Sequence, residues 1–187
     1  MNYLMGLLLL LFVACTSFAQ QNKTPGEQFM DSLFREKAKQ SIGKDFPHFN
    51  ALFNGHMLSN DSLTGKVLFI NFWFKACPPC IAEMPALNEL YKKLKGNKSF
   101  EFLSFTYENR SNVKSFRQKY KAQYKIASVS RNECYRLNQN NGFPTSIIVG
   151  KDGKIWELYT GGDADAKTSR DFILTTVYDE LLTQLKK

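Results

Sequence analysis

Cysteine and histidine are both scarce in this chain, at four and two of 187 residues. So few thiols exclude a disulfide-dense mini-protein, and a chain of this length buries about 70% of its unfolded surface without such staples. No internal repeat is visible, so a solenoid has no support. With 43% apolar and 22% charged residues the composition is ordinary for a globular protein, which excludes disorder and collagen-like structure. Length favours one domain. The 25 Lys and Arg against 17 Asp and Glu give a net charge of +8, which bears on solubility and partners rather than on fold.

What the sequence does have, first, is an apolar opening from Tyr3 to Ala14. It is too short to cross a membrane, which takes about 20 residues. It fits the apolar middle of a signal peptide, with Ser17 and Ala19 offering cleavage before Gln20, although no Lys or Arg precedes it. A second processing site stands at Cys15, where a lipid on the sulfur would attach the protein to a membrane. Phe12 occupies a position where such sites want a branched aliphatic, so plain export to the periplasm is preferred. The expected organisation is a signal peptide over 1–19, a helical extension over 20–43 and one domain over 44–187. An exported monomer is expected to meet no nucleic acid, and its lysines read as solvated helix faces. Cleavage leaves Cys77, Cys80 and Cys134, so at least one thiol is unpaired or bonded to another chain.

Thr24-Pro25-Gly26-Glu27 has the makings of a helix start, and Phe29, Met30, Leu33, Phe34 and Ala38 continue an apolar face towards Gly43. Asn54-Gly55 between apolar flanks predicts a hairpin over 47–58. Val67 to Phe74 is nearly all apolar and β-prone, as a central strand covered on both faces would be. A helix from Cys80 follows, bent by Pro85 and closed by Gly96. Next come a strand over Phe100–Tyr107, a helix capped by Ser111 and a short strand over Ile126–Val129. Strands at Thr145–Val149 and Ile155–Tyr159 and a helix over Thr168–Lys187 complete the chain. This alternation predicts an α/β fold, a mixed sheet between helices.

Cys77-Pro78-Pro79-Cys80 falls where the apolar strand gives way to the helix. That spacing puts both sulfurs within disulfide reach. The helix start aims backbone donors and the positive dipole end at the first sulfur, favouring the thiolate that attacks disulfides. The alternatives are a structural disulfide or half of a zinc site. Zinc needs two more ligands, and Cys134, His48 and His56 stand in no paired spacing. Haem attachment needs His at 81, where Ile81 stands. A redox-active pair is the best reading, with no metal and no organic cofactor expected.

Trp73, the C-x-x-C pair, Glu83-Met84-Pro85 and Gly142-Phe143-Pro144-Thr145, in that order, resemble the extracytoplasmic thioredoxin-like family of TlpA and ResA. The likeness runs from about Phe46 to the C-terminus. It implies a thioredoxin fold with an added N-terminal β-hairpin. It also implies disulfide exchange with protein thiols, recharged by a membrane thiol reductase; several members act as reductants in cytochrome c maturation. On this resemblance Cys77 is the exposed nucleophile, Cys80 the buried resolving cysteine, and Glu83 an acid beneath the pair that manages its protons. Acids also favour a first helical turn for the dipole alone. Pro144 matches a cis-proline facing the sulfurs. Phe143, Pro144, Pro78, Pro79 and Trp73 are the expected substrate contacts, while Phe69, Phe72, Trp73 and Phe74 also read as mostly core, with Trp73 supporting the active-site turn. Asn71 stands where cytoplasmic thioredoxins carry a buried aspartate, and Ala76 replaces the Trp that usually precedes the first cysteine.

Pro78 and Pro79 lack N–H groups, so the amides of Cys80 and Ile81 remain to stabilise a Cys77 thiolate. A less stabilised thiolate makes the better reductant. Two rivals share the fold. A peroxiredoxin requires Thr or Ser three residues before its attacking cysteine, and Phe74 holds that place. A copper metallochaperone adds a His after the pair, and none follows His56. A redox-inert binding module is the third alternative. Cys134 is expected to be a buried thiol.

Overall fold

The computed structural model describes residues 25–187. The apolar opening, the Cys15 processing site and the Thr24 cap lie outside the described residues. Helix α1 is Pro25–Lys39, and the compact unit carrying the remaining elements is Leu33–Lys187. Strands β1 (Asn50–Phe53) and β2 (His56–Ser59) form the expected hairpin. Its turn residues Asn54 and Gly55 have φ of 51° and 91°, positive at both positions, as a tight two-residue hairpin turn requires.

Five strands make the main sheet: β3 (Val67–Phe72), β4 (Phe100–Thr106), β5 (Lys125–Ser128), β6 (Thr145–Val149) and β7 (Ile155–Thr160), in the order β5-β4-β3-β6-β7. β3, β4 and β5 are parallel; β6 is antiparallel to β3, and β7 to β6. The helices are α2 (Pro78–Leu94), α3 (Arg110–Tyr120), α4 (Arg131–Leu137), α5 (Ala166–Phe172) and α6 (Tyr178–Lys186), the last two joined by a wider π turn at Ile173–Val177.

All six residues of β3 are buried, and their alternation feeds two cores. Val67 and Phe69 pack with Met84, Leu87 and Leu90 of α2 and with Ile173, Val177 and Leu181. Leu68, Ile70 and Phe72 pack on the opposite face with Phe49, Phe53, Leu63, Cys134 and Leu137. The strand is therefore central, as its unbroken apolar run implied.

Three local details differ from expectation. α2 begins at Pro78 rather than Cys80, because Cys77 serves as its cap. Asn109, not Ser111, caps α3; its side-chain oxygen accepts the Asn112 N–H, as strong capping residues do. α4 gave no periodic signal, since only Cys134 and Leu137 of its seven residues are buried.

Candidate active site

Strand register assembles the site. Phe72 pairs with Thr145, and Thr145 with Thr160. The chain after β3, before β6 and after β7 therefore meets at one end of the sheet. That end gathers Trp73 to Cys80, Phe143-Pro144 and Gly161-Gly162.

Cys77 caps α2 with extended backbone (φ −101°, ψ 101°), and Pro78 opens the helix. A disulfide joins Cys77 and Cys80, whose Cα atoms are 5.2 Å apart. Cys80 is wholly buried and Cys77 retains 3% exposure. The expectation of an openly exposed Cys77 is thus corrected. Capping turns its side chain over the first helical turn, where Sγ accepts the Cys80 N–H at 3.2 Å. The second expected donor, the Ile81 N–H, goes instead to the Cys77 carbonyl at 3.1 Å. Among the described residues one backbone donor reaches the Cys77 sulfur.

Glu83 lies three residues beyond Cys80, on the same side of α2. Burial pushes its carboxyl from the ordinary 4.5 up to about 8, and the Asn71 side chain facing it pulls the other way. Asn71 is fully buried, and its Nδ2 donates to Ser146 Oγ at 3.2 Å. Glu83 Oε2 and Asn71 Oδ1 have no hydrogen-bond partner. A proton on Glu83 supplies the donor that Asn71 Oδ1 lacks, whereas an amide N–H is what the ionised carboxylate needs. An asparagine can serve either state. The Tyr124 hydroxyl, fully buried, donates to Met84 Sδ at 3.1 Å and is held neutral by burial and by Glu83.

The Phe143-Pro144 peptide is cis, as the resemblance implied. Gly162 is the point of convergence, and nothing in the sequence reading singled it out. A Cβ there would meet Pro144 Cγ at 2.9 Å, Glu83 Oε1 at 3.0 Å and Pro79 Cβ at 3.4 Å. Gly161, with φ of 78°, turns the chain into this approach and donates its N–H to the Pro144 carbonyl at 2.9 Å. The signal available was the Gly-Gly pair directly after β7.

Trp73 is corrected as a substrate contact. It is wholly buried, stacked on Phe116 at 3.6 Å, with Nε1 donating to Ser104 Oγ at 2.9 Å. A planar side chain that finds both a stacking partner and a buried acceptor stays in the core. Pro78 is exposed, and Pro79 and Phe143 are half-buried. Beside them opens an apolar groove of about 610 Å³, lined by Ala76, Pro78, Ile81, Pro85 and Tyr120. The buried Glu108 carboxylate, also missed in sequence, accepts the Lys75 N–H at 3.0 Å and Asn112 Nδ2 at 2.7 Å, anchoring the loop before Cys77. Cys134 is buried in the second core, its thiol pushed up to about 12 chiefly by burial.

Residues 41–172 match the Redoxin family model. The thiol-disulfide oxidoreductase ResA of Bacillus cereus is 33% identical over 138 residues, 73% of this chain and 79% of that protein. Among solved structures, a Neisseria meningitidis protein described as a thioredoxin is 28% identical, with a TM-score of 0.62 over 75% of this chain and 89% of that one. The fold is shared with a Bacteroides thetaiotaomicron protein described as a protein disulfide isomerase. The TM-score is 0.68 at 20% identity, covering 78% of this chain and 91% of that one. With a C-P-P-C dithiol closed as a disulfide at the head of α2, the chain belongs to the redoxin family and is a thiol-disulfide oxidoreductase of the TlpA/ResA type.

Proposed function

We propose that this oxidoreductase works outside the cytoplasm as a reductant of protein disulfides, apocytochrome c among the candidate clients. The observation that carries the reading is the buried Glu83 carboxyl, one helical turn from Cys80, with a pKa of about 8. Such a group holds a proton at neutral pH yet can exchange it with a thiol. The single backbone donor to the Cys77 sulfur supports the direction. A thiolate with little stabilisation leaves the dithiol reducing.

In the reduced protein the Cys77 thiolate attacks one sulfur of the client disulfide. A Cys77–client disulfide forms and the client's other sulfur leaves as a thiolate. Glu83 passes its proton to the departing client thiolate, the resulting carboxylate takes the proton of Cys80, and the Cys80 thiolate attacks Cys77 Sγ. The Cys77–Cys80 disulfide forms and the client's second thiolate is released. Two electrons pass to the client, whose sulfurs end as thiols. A membrane thiol reductase returns two electrons to this protein. Phe143, Pro78 and Pro79 contact the client beside the sulfurs, and Pro144, whose side chain is buried, holds the cis peptide behind them. Export follows from the apolar opening of the chain, with a lipid at Cys15 as the alternative attachment.

Trapping tests the scheme. Cys80→Ser should accumulate mixed disulfides with client proteins, and the Cys77→Ser, Cys80→Ser double variant should accumulate none. Equal trapping by both would overturn it.

A further inference from the structure

Beside the dithiol lies an aromatic patch that exchange itself does not use. Phe143 makes edge contacts with Phe74, Tyr107 and Tyr135 at ring-centroid separations of 5.4, 5.7 and 5.4 Å. Phe74 stacks on Tyr107 at 5.8 Å. All four rings are half-buried, so each presents part of its surface to solvent. The exposed Arg131 guanidinium lies over both tyrosines, 5.2 Å from the Tyr107 ring and 5.7 Å from the Tyr135 ring.

The two aromatic rings hold the guanidinium through the ring quadrupole, the Tyr135 hydroxyl takes one of its N–H groups, and the remaining edge donors stay available. Those donors form a planar fork that matches a carboxylate. Among the described residues Arg131 has no carboxylate partner. The acids of this region are committed: Glu133 to Arg136 at 2.6 Å, and Glu108 to Lys75 and Asn112. An oriented, unpaired arginine on an aromatic floor is the composition found at binding hot spots. The patch also joins the reacting centre, since Phe74 precedes the C-P-P-C turn and Phe143 precedes the cis-proline.

We propose that this patch docks the flank of a client polypeptide, with an Asp or Glu of the client seated on Arg131. The proposal rests on the reading of Cys77 as the residue that attacks the client. From the Phe74 ring to Tyr107 and on to Arg131 the steps are 5.8 and 5.2 Å. An extended segment covers such a span in about three or four residues. The acidic residue therefore falls within about three or four residues of the point where the client passes Phe74, the residue three before Cys77. The net charge of +8 attracts acidic clients in the same sense.

The test uses the reduced full-length protein and synthetic disulfide-linked peptides carrying Asp, Asn or Lys at two to five residues on either side of the cysteine. Wild type should favour Asp over Lys by about fivefold to tenfold in kcat/KM at one such position, falling towards unity at about 0.5 M salt. Arg131→Glu should invert the preference, and Arg131→Lys should keep its sign at reduced size. A ratio near one in wild type, or the same ratio in Arg131→Glu, overturns the docking site. If Cys77→Ser exchanges the peptides as fast as wild type, the dithiol reading has failed and the docking site with it. If exchange needs Cys77 but ignores charge, only the docking site has failed.

Discussion

Replacing Glu83 by Gln should make the oxidised protein more stable, by an amount that grows with pH. The carboxyl is 4% exposed and titrates near 8 in the fold against an ordinary 4.5. Below pH 4.5 it is neutral in both states and contributes no difference. Between 4.5 and 8 the unfolded chain ionises while the fold holds the proton, so stability is lost as pH rises; above 8 the loss is complete. At about 1.36 kcal/mol per pH unit the penalty is about 3 kcal/mol at pH 7 and approaches 5 kcal/mol above pH 8. A glutamine keeps the shape, carries no charge, and offers an amide donor to Asn71 Oδ1. Urea unfolding of both proteins at pH 5 and pH 8, with the disulfide closed so that neither active-site sulfur titrates, should show the stability difference widening by about 3–4 kcal/mol. The histidines are the same in both proteins and cancel. A difference that stays flat with pH would refute the buried-acid argument. The same variant should lose the resolving step, so stability and exchange rate move in opposite directions.

Asn71→Leu removes the side chain that pulls the Glu83 value down, so the Glu83-dependent limb of the exchange rate should move to higher pH; an unmoved limb would show that Asn71 does not act on the acid. In Gly162→Ala the new Cβ would press on Pro144 Cγ at 2.9 Å and Glu83 Oε1 at 3.0 Å. Because a proline ring yields little, exchange should fall about tenfold and stability by about 1–3 kcal/mol, read from insulin reduction and urea melts. Thiol titration of the reduced protein should place Cys77 well above the values of strongly oxidising relatives; a pKa below about 5 would contradict the single-donor reading.

The strand–turn–helix around Cys77 and Cys80 was legible because its signals are local. An apolar run, two prolines at a helix start and the cysteine spacing lie within a few residues of one another. The hairpin was legible for the same reason, in Asn54-Gly55. Other features depended on where distant segments end. Gly162 matters only because β7 is registered against β6 and β6 against β3, which no short window of sequence contains. Glu108 reads as one acid among several until the β4–α3 connection carries it to the Lys75 amide. Trp73 was misassigned because its partners, Phe116 and Ser104, come from other elements. Its place in the apolar run had marked it as mostly core, and that reading, not the contact with substrate, is the one its burial bears out.

The order of steps in the proposed exchange follows from charge. A thiolate and a carboxylate held together in a poorly solvated site oppose each other, and the interaction is far stronger there than in water. Asn71 does not ionise, so proton handling beneath the pair falls on one carboxyl. While Glu83 keeps its proton the site carries a single negative charge, on Cys77, and attack on a client is favoured. Once the mixed disulfide forms, that charge has left on the client's sulfur. Only then can Glu83 ionise cheaply and accept the proton of Cys80. Resolution therefore follows attack rather than competing with it, and Asn71 can offer its oxygen to the protonated carboxyl and an amide N–H to the ionised one. An aspartate in place of Asn71 would add a second charge to the same space and raise one of the two carboxyl pKa values further. The rate of resolution would then peak at a higher pH, while attack by Cys77 would change far less.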